Sequence, residues 1–376
     1  MNVLLVYMDC LRKDRAEGRM PKLAKLVRGA GWTTFTRHHS VAHCSDPNFL
    51  SILTGGYPDE HGVHTQMGSG HKKQYPTLQR RLQEAGYRTW AYEPVKVPAF
   101  YREGFDEVLY HATVDVSPTM APGVKGVIQR SADGGQQWFG FMRVMDTHYP
   151  YNGEPLPKDQ SLVLKQYDRA VSHVDGMLSH LLRWVLREQP DTLVVVGADH
   201  GELLGEDGLW DHLFTLRPQL VRVPLYVYHP GNVAAGCGVL TQHPTVTGLV
   251  LGATGLARTP AWEWACGRGL LDAPDALWLS AWGATARAQW KHKSVVIDAG
   301  GHDFQYAANW DVNTGGKSYD LWYDGLPMGI TRGNAEAVQA ARGLVAERYP
   351  TFPVPGPDSL WMMAASPAPM GDGEWA

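Results

Sequence analysis

Thr192-Leu193-Val194-Val195-Val196-Gly197-Ala198-Asp199-His200-Gly201-Glu202 decides how this chain is read. The apolar, β-branched run predicts a buried strand, Leu193–Gly197, that stops at a carboxylate and an imidazole side by side. In open α/β sheets, ligands bind at the carboxyl ends of strands. Acid plus imidazole is the donor pair a borderline divalent cation accepts. Neighbouring strand residues point to opposite faces, so both reach one ion only where the chain turns, and Gly201 permits a turn. An Asp-His-Gly run also serves as a helix N-cap, so the surrounding sequence has to discriminate.

Working outward, further strands are predicted at Val3–Met8, Thr89–Tyr92, Trp138–Met145 and Val223–Tyr228. Helices are predicted at Lys22–Gly29, Asn48–Leu53, Thr77–Ala85 and Gln160–Leu186. The last carries Tyr167, Val171, Val174, Leu178, Leu181 and Val185 at three-to-four spacing, the signature of one apolar helix face. Alternating β and α elements imply an α/β fold, a mostly parallel sheet between helix layers. After about residue 285 the short runs Lys293–Ile297, Gln305–Trp310 and Tyr319–Trp322 predict a small antiparallel sheet, followed by a helix at Ala335–Glu347. We therefore expect a catalytic α/β domain over residues 1–285 and a C-terminal α+β subdomain with its tail over 286–376. The Pro/Gly/Met-rich tail Pro353–Ala376 is expected to be docked or poorly ordered.

Bulk properties exclude several classes. The 376 residues are enough for one large domain and a smaller one. A net charge of −4 gives no footprint for nucleic acid or for an acidic membrane surface. The four cysteines, Cys10, Cys44, Cys237 and Cys266, show no CxxC spacing, so neither a zinc knuckle nor a disulfide framework is indicated. Met1–Asp9 has no basic leader and reads as a first strand; no apolar run has the length of a membrane span. A cytoplasmic protein is expected; its oligomeric state is not readable.

Four other segments carry chemistry. Asp9 ends the first strand as Asp199 ends its own. Ser45 precedes a Pro-started helix, where the positive N-terminus stabilises an alkoxide or an anionic substrate, or where a serine simply caps. Asp146-Thr147-His148-Tyr149-Pro150-Tyr151 closes another strand with an acid and an imidazole, and Gly208-Leu209-Trp210-Asp211-His212 follows the opening motif. Metal- and anion-seeking groups thus cluster at several strand ends.

These segments resemble, in order and spacing, the sulfatase family within the alkaline phosphatase superfamily. Asp9-Cys10-Leu11-Arg12-Lys13-Asp14 is similar to the family's first metal-binding segment. Met20-Pro21-Lys22-Leu23 opens a family helix. Ser45-Asp46-Pro47 with Ser51-Ile52-Leu53-Thr54-Gly55-Gly56-Tyr57-Pro58 resembles the nucleophile segment. Asp146–Tyr151, Asp199–Gly208, Arg222-Val223-Pro224-Leu225 and His243-Pro244-Thr245-Val246 follow in the family's order. The resemblance spans about residues 2–350. It implies Asp9, Asp199 and His200 as metal ligands, Ser45 as nucleophile, and His148 and His212 as acid/base or anion-binding groups. Lys96, Arg12 and Asp146 are implied at the substrate, with a structural role as the alternative for Arg12. Candidate lids are Pro94–Arg102 and His111–Gln129.

Two departures shape the chemistry. Family sulfatases use a formylglycine made from Cys or Ser followed by x-Pro-x-Arg; here Ser45 fills the slot and Phe49 stands where the Arg would be. An unmodified serine favours phosphorus over sulfur, because a phosphoserine is hydrolysed with metal assistance whereas a sulfoserine lacks the second hydroxyl that expels sulfate. Cys10 replaces a carboxylate common in sulfatases, and calcium prefers six or more oxygens. One divalent ion is therefore expected, manganese or zinc before calcium or magnesium. The expected partner is a small-molecule phosphate or sulfate ester. The expected function is metal-dependent hydrolysis of a phosphate mono- or diester through Ser45. The alternatives are a sulfatase with a modified Ser45 and an inactive anion-binding relative.

Overall fold

The computed structural model describes residues 1–66, 75–94, 103–111, 117–151, 157, 159–212, 215–232, 236–257, 276–284, 289–298, 302–311, 317–328 and 335–352. The strands are β1 (Asn2–Met8), β2 (Trp32–His39), β3 (Arg88–Pro94), β4 (Glu107–His111), β5 (Trp138–Val144), β6 (Thr192–Ala198), β7 (Leu203–Leu204), β8 (Trp210–Asp211), β9 (Leu225–Tyr228), β10 (Gly236–Gln242), β11 (Ala276–Ala284), β12 (Gln289–Asp298), β13 (Asp303–Asp311), β14 (Lys317–Tyr323) and β15 (Leu326–Pro327). The helices are α1 (Lys13–Arg19), α2 (Pro21–Val27), α3 (Ser45–Thr54), α4 (Pro58–His61), α5 (Leu78–Glu84), α6 (Ser117–Asp133), α7 (Val163–Glu188), α8 (Pro218–Val221), α9 (Pro244–Ala253) and α10 (Ala335–Arg348).

Eight strands form the main sheet in the order β10-β2-β9-β6-β1-β5-β3-β4. It is parallel except at β9, which runs antiparallel to β2 and β6. The mostly parallel α/β sheet expected from the alternation is present. Strand periodicity splits its residues between two helix layers. Leu4, Val6 and Met8 of β1 join a core with Tyr167, Val171, Val174, Leu178, Leu181 and Val185 of α7. Val3, Leu5 and Tyr7 join another with Phe49, Leu50, Ile52 and Leu53 of α3 and Val246, Leu249 and Val250 of α9. Each such side chain contributes roughly 1.5–3 kcal/mol by leaving water. Both layers cover β1, so its carboxyl end opens between them at the centre of the sheet.

Several elements depart from the sequence reading. β2 (Trp-Thr-Thr-Phe-Thr-Arg-His-His) has no apolar run, because its buried C-terminal end is polar and paired: His38 Nδ1 lies 3.0 Å from Thr241 Oγ1 and its Nε2 3.2 Å from His243 Nδ1. The expected lid His111–Gln129 is instead, from residue 117, part of helix α6, which packs Val124, Val127 and Ile128 into the α7-side core. Pro94 ends β3, whereas the rest of the first expected lid, residues 95–102, and the tail from 353 lie outside the described residues.

The second sheet is antiparallel, in the order β11-β12-β13-β14-β15, and begins at Ala276. Val295, Phe304, Tyr306, Tyr319 and Leu321 pack on Val338, Ala341 and Val345 of α10. A buried ionic junction ties it to the main sheet: Arg37 of β2 donates to Asp303 at 2.7 Å and to Asp298 at 3.1 Å. His39 Nε2 lies 3.5 Å from Asp303.

His39 is 1% exposed, and burial lowers its pKa from 6.5 to about 4 despite Asp303, with Arg222 and Lys13 lowering it further. A histidine held neutral in the fold but free to protonate when unfolded contributes nothing against folding above its unfolded value. As pH falls toward the folded value, protons favour the unfolded chain. Urea titrations from pH 7 to pH 4 should therefore show stability falling, with His39 contributing on the order of 3 kcal/mol. The His39→Gln variant should lack that share; an unchanged slope would contradict this assignment.

Candidate active site

Register aligns the ligands before any side chain is considered. Met8 pairs with Ala198 of β6 and with Val144 of β5, so Asp9 and Asp199 stand level at adjacent strand ends. Asp9, Asp199 and Arg143 share the parity of Tyr7, Val195 and Phe141, whose side chains meet α3. The chain turns at once on both strands. Cys10 takes φ 63°, left-handed backbone that is uncommon away from glycine. Gly201 admits the close approach of residues 219–220: its N–H donates to Leu220 O at 2.8 Å, and a Cβ there would lie 1.9 Å from Gln219 O.

Ser45 arrives from the opposite layer. It begins α3, with Cys44 rather than Ser45 as the cap residue, so its hydroxyl is not spent on capping. Asn48 fixes the preceding loop: its Oδ1 accepts from Val41 and Ala42 N–H, and its Nδ2 donates to Ala42 O and Cys44 O. Ser45 is 3% exposed, and its Oγ lies 3.3 Å from both Asp9 Oδ2 and His200 Nε2.

Asp9, Asp199 and His200 are fully buried, with one ligand atom from each within 4.8 Å of the others. His200 Nδ1 lies 2.8 Å from Gly201 O, an acceptor only, which fixes hydrogen on Nδ1 and leaves the Nε2 lone pair to the site. Asp199 Oδ1 accepts the N–H groups of His200 (2.8 Å) and Cys10 (3.2 Å). Its Oδ2 is buried without a hydrogen-bond partner, 3.5 Å from His200 Nε2. Asp9 Oδ2 accepts from Arg143 Nε (2.9 Å) and Nη2 (2.6 Å).

Burial pushes Asp9 up, but Arg143, His148 and His200 outweigh it, and the carboxyl stays well below its usual range. Burial and the charge of Asp9 raise Asp199 to about 8, and burial next to His212 keeps His200 neutral. An orphaned carboxylate oxygen, a bare imidazole nitrogen and a second buried carboxyl that cannot readily ionise beside Asp9 without a cation fit a divalent ion of the nitrogen/oxygen-binding kind.

A second wall holds the histidines. His212 Nδ1 lies 2.7 Å from Asp211 Oδ1, 3.2 Å from Glu202 Oε1 and 3.7 Å from Cys10 Sγ. Burial works against its charge, yet Asp211 and Glu202 raise its pKa well above the ordinary value, so it is a cation. Its ring centroid lies 5.5 Å from His148 and 4.6 Å from His200. His148, half-buried, has Nδ1 2.7 Å from Tyr149 O, and Thr147 Oγ donates to Asp9 O at 2.6 Å, holding this turn against β1.

Six expected residues thus converge: Asp9, Ser45, His148, Asp199, His200 and His212. Of the other three, Arg12 and Asp146 are among the described residues. Arg12 is 4% exposed and bonded to Asp14, to Glu206 and to Glu202 O, so it secures the 202–206 loop, the structural role given as its alternative. Asp146 is fully buried in the turn after β5, as Asp9 and Asp199 are at their own strand ends. Lys96 lies outside the described residues. Glu202 and Asp211 stand in the quoted motifs without a role of their own, and Arg143 is absent from the sequence reading; its signal is a cation interrupting an otherwise apolar central strand.

The sequence model of the sulfatase family matches residues 1–257, and the chain belongs to that family. Among curated relatives it is 26% identical over 314 residues to the inner membrane protein YejM of Salmonella typhimurium, covering 80% of this chain and 50% of that protein. The chain spans about half the length of the curated relatives it matches. Its fold is that of the phosphonate monoester hydrolase SpPMH from Silicibacter pomeroyi, with TM-score 0.70, 18% identity and coverage of 94% of this chain and 96% of that one. It is equally that of a 2-O GAG sulfatase, BT1596, with TM-score 0.71, 15% identity and coverage of 93% and 92%. Among the described residues no helix is long and apolar enough to cross a membrane, and the naming of YejM as an inner membrane protein gives the cytoplasmic expectation no support.

Proposed function

We propose that this chain is a metal-dependent hydrolase of phosphate mono- or diesters with Ser45 as nucleophile. The observation that carries this reading is the Ser45 hydroxyl, 3.3 Å from both Asp9 and His200, in a segment with Phe49 in place of the arginine of the formylglycine signature. Asp9, Asp199 and His200 would hold the ion, with manganese or zinc favoured by the nitrogen donor and by Cys10 in place of a carboxylate. When bound, the ion supplies positive charge at a phosphoryl oxygen and lowers the pKa of a neighbouring hydroxyl.

The chain's own residues do the rest. Ser45 Oγ bonds to phosphorus in line with the leaving oxygen, and its proton goes to solvent. His212, held as a cation by Asp211 and Glu202, gives its proton to the departing alkoxide. Water then attacks the phosphoserine, returning a proton to His212, and Ser45 recovers its own from solvent as phosphate leaves. His148, half-buried beside His212, binds the anionic group.

The family itself favours a second reading, sulfate-ester hydrolysis by a modified Ser45. The discriminating experiment sets aryl phosphate, phosphodiester, phosphonate and sulfate esters side by side with manganese, zinc and calcium. Phosphoester turnover with zinc or manganese, from protein whose intact mass shows plain serine, is the expected outcome. Turnover of the sulfate ester alone, or a mass lighter by two hydrogens, would overturn it.

A further inference from the structure

Arg143 is an expensive residue to place in a central strand. Its side chain is nearly fully buried, and a buried cation is strongly unfavourable unless it is paired. The buried Glu93 carboxyl lies in its field, and two contacts tie it to the site. Its Nε and Nη2 both donate to one oxygen of Asp9, Oδ2, at 2.9 and 2.6 Å. Its guanidinium carbon sits 4.7 Å from the ring centroid of Phe49, one turn along α3 from Ser45. The ring supports the guanidinium from the nucleophile's own helix, and the guanidinium holds the carboxylate that faces the nucleophile.

The other two ligands are limited in the same way. Asp199 Oδ1 is taken by two backbone N–H groups, and His200 Nδ1 by Gly201 O. Each ligand turns one donor toward the corner: Asp9 Oδ1, which accepts only the weak Cys10 thiol donor at 3.3 Å, Asp199 Oδ2 and His200 Nε2. Ser45 Oγ adds a fourth. Four single donors, one of them nitrogen, suit a small tetrahedral cation; calcium takes six to eight oxygens and commonly uses carboxylates through both. Of the two carboxylates, only Asp9 has its second oxygen held by a side chain, and so only there is the limit removable by a single substitution.

We propose that Arg143, braced on Phe49, is a positioning residue that restricts Asp9 to one donor oxygen and thereby sets the site's preference for a small cation over calcium. This rests on the reading of Asp9, Asp199 and His200 as a cation site. The test titrates metal-free protein with zinc and with calcium by calorimetry, so its readout is binding and not turnover. Arg143→Met, of similar length and without donors, should lose about 10- to 100-fold of the zinc-over-calcium ratio. Arg143→Lys, which keeps the charge but not the planar fork, should fall between Met and wild type.

A Met variant that melts like wild type and keeps the full ratio overturns the proposal. Should the Met variant fail to fold, full retention of the ratio by the Lys variant overturns it equally. A wild-type protein that binds neither ion overturns the site reading along with it. A wild type that binds zinc yet hydrolyses no phosphoester removes the proposed reaction and leaves this inference standing.

Discussion

Ser45→Ala is expected to lower kcat on a phosphoester by at least about 10⁴-fold, with the fold intact and much of the metal affinity retained. The size follows from the kind of role. A nucleophile forms the bond that divides the reaction into two steps, and no neighbour replaces it: the other groups within reach, Asp9 and His200, are turned toward the cation corner. The fold survives for a local reason. Cys44 occupies the cap position of α3, and Asn48 fixes the loop before it, so the lost hydroxyl carries no helix-terminal hydrogen bond. Acid quenching during turnover should trap phosphate on the Ser45 peptide of wild type and leave the alanine variant unlabelled. An alanine variant within tenfold of wild-type activity would rule Ser45 out as nucleophile.

Asp199→Asn should abolish turnover as well, and it separates metal binding from folding. In the metal-free protein, Asp199 is a buried carboxyl beside a second one, raised to about 8 by burial and by Asp9. Replacing it with a neutral amide of the same shape removes that repulsion, so the metal-free variant should melt no lower than metal-free wild type. With zinc the order inverts. An ion at one hundred times its dissociation constant stabilises the protein it binds by about 2.7 kcal/mol, and the variant should lose that gain. Melting curves of both proteins with and without zinc check this. An equal zinc-induced rise in both would move the cation away from Asp199.

What the sequence revealed and what it hid divides along one physical line. Strands that bury mostly apolar side chains on both faces, β1, β5 and β6, announce themselves as apolar runs, and the acids at their ends stand out against them. The long α7 is legible because one face of it repeats at helical spacing. β2 is illegible by the same logic: Arg37, His38 and His39 are buried only because partners from distant segments, Asp303, Thr241 and His243, meet them. Arg12 and Arg143 make the point at the site itself. Both are buried arginines near the same corner, yet one secures a loop through Asp14 and Glu206 and the other holds Asp9. Asp14 stands two residues from Arg12, but nothing in the local sequence of either names the distant partner, which lies 194 residues away for the Arg12–Glu206 bond and 134 for the Arg143–Asp9 bond.

The pairing of Met8 with both Ala198 and Val144 works as a ruler. Side chains alternate along a strand, so the distance between Asp9 and Asp199 is set by counting residues from a shared starting line. Deleting one residue anywhere within Asn2–Met8 would keep every ligand in the chain and still turn Asp9 toward the wrong helix layer. The site is thus as sensitive to a change in spacing as to the loss of a ligand. A library of single-residue deletions along β1 would be purged by function as harshly as one that mutated the ligands themselves.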